Sequence, residues 1–309
     1  MALATTFDLP NFVGELFSLT PKDTPFLSMI GGLRGGRGVK TKQFTWQDYS
    51  MATAAQPAIL EGAAPVSAHR ARAERSNVVQ IFQYGVDISY TKLATVEQLG
   101  TPTAAATAVL GNQPVQNEFD WQLDLKLEQA ALDLNFTAIN GAFVNPTDNT
   151  TARKTRGILA WITTNVVAAG TTAISDTHID TLLRAMWNNG ARMRDPVMFM
   201  DIFQKQGLSG VYGYAPEHRT VGGVNIQMIE TDVAPLGVVL DRHMPDDTVL
   251  VADMSVIQPA FLSIPGKGHF FTEPMAKTKA SEEAQLYGEV GFELGPETWH
   301  GKITGLTTS

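Results

Sequence analysis

Cysteine is absent from this 309-residue chain. Disulfides, thiolate catalysis and Cys-ligated zinc are therefore excluded. Charge is sparse, 17% of residues against 44% hydrophobic, which suggests that partners cover much of the surface. The formal net charge is −8, so the basic footprint of a general nucleic-acid binder is missing. No apolar run approaches the roughly 20 residues needed to cross a bilayer. The opening MALATTFDLPNF has neither a basic n-region nor an apolar h-region, so no signal peptide is expected and synthesis and use in a cytosol are. No fixed-period repeat and no Gly-x-Ser-x-Gly, dinucleotide or His-Glu-x-x-His motif occurs. GGLRGGRG at 31–38 departs from the phosphate-loop pattern because Val39 separates Gly38 from Lys40-Thr41, and it reads as a flexible hinge. No cofactor is expected.

What is present centres on residues 114–141, PVQNEFDWQLDLKLEQAALDLNFTAING. Good helix formers fill it, Pro114 suits a first turn and Gly141 a C-cap. The spacing predicts a helix over 114–140 with two apolar stripes. Phe119, Leu123, Leu127, Ala130, Leu134 and Ala138 form one; Trp121, Leu125, Leu132, Phe136 and Ile139 form the other, nearly opposite. One stripe is usual for a surface helix. Two imply cover on both sides, either from two layers of one domain or from a sheet and a second element or subunit.

Before this helix, residues 1–38 carry many large apolar groups interrupted by Pro10, Pro21 and Pro25. Such an arm needs a surface to lie on, its own chain's or a neighbour's. Val39–Tyr49 and Asn77–Tyr90 alternate as strands, and Ala-rich residues 51–76 between them offer little to build a core. Together they predict an extended hairpin, marginal in isolation. Its charged end holds His69, Arg70, Arg72, Glu74 and Arg75, readable as a solvated cluster or as ion pairs to another subunit. A short helix is predicted over Thr101–Leu110, and a strand or turn segment within 153–165. After residue 166 helices (177–189, capped by Ser175 or Asp176, and 201–209, capped by Asp201) alternate with strands (197–200, 224–229, 236–240, 248–252), a compact mixed unit. At the end, 284–294 and 299–303 alternate strongly around Gly295-Pro296-Glu297 and predict an antiparallel hairpin packed on the long helix. Two clusters could hold a cation: Asp176, His178 and Asp180, and Asp241, His243, Asp246 and Asp247. A helix cap and a solvated turn are the simpler readings.

The order of segments resembles the major capsid proteins of tailed bacteriophages. TPFLSMIGGL (24–33), FTWQ (44–47), NVVQIFQYGVDIS (77–89), LDLKLEQAAL (123–132), RKTRGILAWITTN (153–165), MWNNGARMRD (186–195) and RHMPDDTVLVAD (242–253), with the final strands, carry the likeness in order through nearly the whole chain. The resemblance implies an α+β, HK97-like capsid fold: N-terminal arm 1–38, extended loop 39–90, peripheral domain 91–160 and 265–309 with the spine helix, and axial domain 161–264. It implies hexamers and pentamers in an icosahedral virion head around double-stranded DNA held without sequence-specific binding, assembled in the bacterial host cytoplasm away from any membrane. A portal at one vertex, a separate scaffolding protein and a decoration or cement protein would be its partners. Contacts between subunits are expected at Phe12, Phe17, Trp46, Glu61, Arg70, Arg72, Glu74 and Arg75. Some members cross-link through a lysine in the extended loop; residues 51–76 have none, so no cross-linking and no enzymatic activity are expected. An encapsulin-like shell is the alternative within the fold, and a soluble metal-dependent enzyme the alternative outside it.

Overall fold

The computed structural model describes residues 19, 21–33, 35–65, 67–93, 118–212, 218–221 and 224–308. Two sheets and a long helix organise them. Strand β13 (Ser281–Glu293) is the spine of the first sheet. Strand β4 (Gln80–Ser89) pairs antiparallel along one of its edges, from Ser281↔Ser89 to Val290↔Gln80. Along its other edge lie β12 (Phe270–Pro274) and then β11 (Gln258–Leu262). Short β1 (Arg37–Val39) adds to β11 in parallel. The glycine-rich segment before β1 is coiled back tightly: Gly35 N–H donates to Gly31 O at 2.8 Å. A Cβ on Gly36 would lie 2.2 Å from Pro259 O. These glycines permit close approach to β11; the flexible hinge expected from composition is not what they form.

The second sheet has seven strands in the order β5 (Val166–Ala168), β14 (Gly301–Thr304), β10 (Val249–Asp253), β6 (Pro196–Met200), β9 (Leu236–Leu240), β8 (Val224–Ile229) and β7 (His218–Val221). Its central strands are buried on both faces, which explains runs such as PVMFM without polar alternation. Val197, Phe199, Leu250 and Ala252 face the core shared with the first sheet. Met198, Met200, Val249 and Val251 face a second core. There Ile179, Leu182, Leu183 and Met186 of α4 (Asp176–Asn188) and Leu208 of α5 (Ile202–Tyr212) cover them. Asp201 caps α5, accepting from Phe203 N–H.

The long helix, α2 (Glu118–Asn140), begins the described chain after 93; its predicted first residues 114–117, and the helix expected over Thr101–Leu110, lie outside the described residues. Its 23 residues span about 35 Å. It packs against β4, β13, short α1 (Pro25–Met29) and one-turn α3 (Ile158–Trp161). The two predicted stripes are not equally covered. Ala130, Leu134 and Ala138 of the first and Ile139 of the second are buried, whereas Leu127 and Phe136 are exposed. Burial therefore concentrates in the C-terminal half. The apolar arm finds part of its surface here: Phe26 is buried with its ring 5.1 Å from that of Phe199, and Leu27 is buried beside it. Gly141 does not adopt a left-handed cap. A Cβ there would lie 2.7 Å from Thr155 O and 3.0 Å from Gly157 N, so it lets the chain after α2 cross the segment entering α3.

Three expectations are corrected. First, the partner of β2 (Gln43–Tyr49) is β3 (Arg72–Val78), in register from Gln43↔Val78 to Tyr49↔Arg72. Residues 77–90 are divided between that pair and β4. The break falls at Val79, and the Asn77 amide bridges it, donating to Phe292 O at 2.8 Å and accepting from Arg156 N–H at 2.9 Å. Period-two alternation runs through both strands and carries no information about the partner. Second, 284–294 and 301–304 form no hairpin. Gly295 has φ 65°, residues 297–299 make a 3-10 turn, and the chain leaves the first sheet for the second, where β14 pairs with β10 and β5. Third, 153–165 contains the helical turn α3 where a strand or turn was expected.

That crossover lies beside the exit of β10 toward β11, and buried polar groups join them. His300 Nδ1 accepts from Asp253 N–H at 3.2 Å and its Nε2 lies 2.7 Å from Leu294 O, so Nε2 carries the proton. The Asp253 carboxylate accepts from the amides of Arg194, Asp195 and Ser255 and from the Ser255 hydroxyl. Burial pushes the His300 pKa down from 6.5 to about 4. The unfolded chain therefore takes up this proton first, and stability falls as pH drops through that interval. Roughly 3 kcal/mol should be lost between pH 6.5 and 4, read as unfolding free energy from urea titrations of the unassembled subunit at a series of pH values. His300→Gln, which retains a donor and an acceptor, should flatten that limb; an unchanged slope would show that His300 does not cause it.

Candidate assembly surface

The β2–β3 pair leaves the body of the subunit as an arm. Its base is anchored by the alternation of β2: Phe44 and Trp46 enter the core while Gln43, Thr45 and Gln47 remain outside. Trp46 is 9% exposed. Its indole N–H donates to Gly295 O at 3.1 Å and its ring lies 5.3 Å from that of Trp161. Trp46 is thus a buried anchor of its own chain.

Beyond the base the described residues provide no cover. Every described residue from Tyr49 to Arg75 is exposed. The cross-strand pair Arg75–Asp48, at 2.9 Å, is the ion pair of this part of the arm. Leu60 to Ala63 closes a turn, Ala63 N–H donating to Leu60 O at 3.1 Å, with Gly62 at φ 81°. Ile59 is 66% and Leu60 85% exposed. Glu61, Arg70, Arg72 and Glu74 are also exposed, whereas Phe12 and Phe17 lie outside the described residues. A second uncovered surface lies on the helices of the seven-stranded sheet, where Trp187, Ile202 and Phe203 reach solvent.

Neither acidic cluster forms a cation site. Among the described residues no three His, Asp or Glu side chains converge on one point. His178 Nδ1 lies 2.9 Å from Ser175 Oγ at the start of α4. Asp241 and His243 instead meet Asn135 of α2. The Asn135 amide nitrogen lies 3.1 and 2.9 Å from the two Asp241 oxygens and 2.8 Å from His243 Nδ1, and Asn135 Oδ1 accepts from Leu27 N–H at 2.9 Å. Asn140 Nδ2 donates to His243 O at 2.6 Å. One buried amide thus ties α1, α2 and the loop after β9 together. Nothing in the sequence marks Asn135, a polar residue within the long helix. Glu297 was equally inconspicuous: burial alone would raise its carboxyl, but the amides of Thr164 and Thr163 and their hydroxyls hold it below the usual range. No helix of the described residues is long and apolar enough to cross a membrane.

A mixed two-sheet body with a long helix and a long uncovered arm is built for contact with other molecules. The model of the SU10 major capsid protein family matches residues 2–307. The chain belongs to this family. Solved structures share the fold. The capsid of Cyanophage A-1(L) superposes with a TM-score of 0.71 at 12% identity, over 99% of each chain. The capsid of Cyanophage P-SCSP1u gives 0.59 at 13%, over 98% of this chain and 94% of that one. The SrpI encapsulin of Synechococcus elongatus PCC 7942 gives 0.59 at 11%, over 100% and 98%. No match was found among curated proteins. The subunit is accordingly a phage major capsid protein of HK97-like fold, a component of a multimeric shell and of the virion.

For a capsid subunit, the Asn135 tie holds the base of the N-terminal arm to the spine helix. Asn135→Ala would leave the fully buried Asp241 carboxylate without its side-chain amide donor and Leu27 N–H without an acceptor. Such losses cost about 1–3 kcal/mol per group. Thermal denaturation of the variant subunit should show a clearly lowered midpoint, and Asn135→Asp, which sets two carboxylates together, a lower one still. A midpoint equal to that of the unaltered protein would contradict the assigned role.

Proposed function

We propose that this capsid protein assembles as hexamers and pentamers into an icosahedral head around double-stranded DNA, and that the β2–β3 arm lies over a neighbouring subunit. In this reading the five-stranded sheet with α2 is the peripheral domain and the seven-stranded sheet the axial domain. Strand 258–262 then belongs to the peripheral domain and strand 301–304 to the axial domain, with residues 1–38 the N-terminal arm and 39–90 the extended loop. The observation that carries it is the arm. Ordering its roughly two dozen residues costs about 1–2 kcal/mol each in backbone entropy, whereas a ladder hydrogen bond returns about 1 kcal/mol net. Burying Ile59 and Leu60 on a neighbour would return about 1.5–3 kcal/mol apiece, repeated at every subunit of a closed shell.

The acidic balance of the chain suits a container, because a wall near neutral or negative leaves packaged DNA free to move, while a basic wall grips phosphates. The protein acts as a wall with no catalytic role. A portal at one vertex, a separate scaffolding protein and a decoration or cement protein complete the proposed head, which is built in the bacterial cytoplasm. The shared fold of the SrpI encapsulin supports an encapsulin-like shell as the second reading. Nuclease-resistant DNA in purified particles separates the two; a protein cargo in its place favours the second.

The arm is tested by replacing residues 51–70 with Asn-Gly, which keeps both strands of the ladder. The subunit should retain its circular dichroism spectrum and yield no closed shells by negative-stain microscopy. Normal shells from this variant would remove the arm from assembly.

A further inference from the structure

Arg156 stands in the segment between α2 and α3, beside the base of the arm: its N–H donates to Asn77 Oδ1 and its carbonyl accepts from Asn77 Nδ2. Two rings hold its guanidinium, Phe143 at 4.2 Å and Trp161 at 5.4 Å from Cζ. Contacts of this kind hold the guanidinium and use none of its N–H donors. No carboxylate, carbonyl or hydroxyl among the described residues receives them. The group is half-buried, and burial pulls its pKa below the usual value with no neighbouring charge to offset it. The described residues thus hold a partly desolvated cation between ring contacts and supply it with no anion. A guanidinium fork selects a planar carboxylate, which it can bind through two parallel hydrogen bonds.

The arm presents one such group. Glu61 is the single carboxylate between Asp48 and Glu74, exposed in the Leu60–Ala63 turn at the tip and flanked by exposed Ile59 and Leu60. It cannot serve the Arg156 of its own chain. Arg156 is bonded to the arm's base at Asn77, and the ladder from Gln43↔Val78 to Tyr49↔Arg72 alone places about 20 Å between base and the start of the tip. Every described residue beyond that ladder is exposed, so the described tip does not pack back onto the body.

We infer that the Glu61 carboxylate at the arm tip of one subunit docks on the Phe143–Arg156–Trp161 site of an adjacent copy, a contact in trans that seats the arm. This rests on the capsid reading and specifies which surfaces meet. The basic base and acidic tip occupy different patches of one chain, so the contact is heterologous and repeats from copy to copy around a ring, as closure of a capsomer requires.

Charge reversal tests it. Glu61→Arg lies on an exposed turn and should leave the subunit's thermal midpoint unchanged, yet lower the yield of closed shells, measured by sedimentation and negative-stain microscopy, by about tenfold or more. Arg156→Glu should do the same, with its own midpoint measured to separate assembly from folding; Arg156→Lys, which keeps the charge and loses the fork, should be intermediate. The double variant E61R/R156E should recover most of the loss. Normal shells from E61R, or a double variant no better than the E61R single, would overturn the pairing. If replacement of 51–70 abolishes shells while either of those results is found, the arm reading stands and this contact falls; if that replacement leaves shells intact, the arm reading itself has failed.

Discussion

The ten-residue ladder between β4 and β13 is the interaction on which the rest of this subunit depends. It joins the chain before the spine helix to its last sixth, and β13 is held on its other edge by β12 and β11. A strand paired on both edges cannot slip, because a one-residue shift would exchange every side chain between core and solvent. Val86, Ile88, Leu286, Val290 and Phe292 are all buried by this register. The arm inherits its direction from it: β3 runs into β4 with only Val79 between, so the ladder orients the first residues that leave the body. Packing of α2 across β4 is reinforced by Tyr84, whose hydroxyl donates to Asp133 at 2.7 Å.

From this anchored edge outward, the subunit passes from over-determined to under-determined structure. At the sheet junction, Asp253, His300 and Asn165 satisfy one another's neighbours, the Asn165 amide donating to the carbonyls of Thr298 and His300. Buried polar groups this well satisfied specify one arrangement of the two sheets. At the arm, Phe44 and Trp46 are the last buried side chains, and beyond Asp48 the described residues are held by the β2–β3 ladder and the Leu60–Ala63 turn. A shell subunit gains from this division. In the proposed assembly, the part with the least internal stabilisation is the part that neighbours complete.

Much of the fold was legible because hydrophobic period reports burial directly. The alternation of β2 and β13 appears in the structure with the predicted sides buried, β6 and β10 form where strands were expected, and Ile179, Leu182, Leu183 and Met186 of α4 are buried at i, i+3, i+4 spacing, although Trp187, which continues that spacing, is exposed. The errors share one physical origin. A period names the covered face and is silent about what covers it. Residues 301–304 alternate as a hairpin strand would, yet they pair in the other sheet; Arg72 to Ser76 read as a charged tip and belong to the arm's ladder. Asn135 and His300 were hidden for a related reason: the value of a buried polar residue lies in partners distant along the chain.

The sequence by itself determined that this is a chain of mixed helix and strand without cysteine chemistry, organised on one long helix, with an arm that offers little to bury. Those conclusions follow from composition and local period, and the order of segments carried the likeness to capsid proteins. Only the tertiary structure decided which strands pair, that Gly141 and Gly157 are small because two backbones cross there, and that two rings hold the Arg156 guanidinium while no described residue supplies it an anion. Pairing and close approach depend on residues far apart in sequence meeting in space, and local pattern has no means to record that meeting.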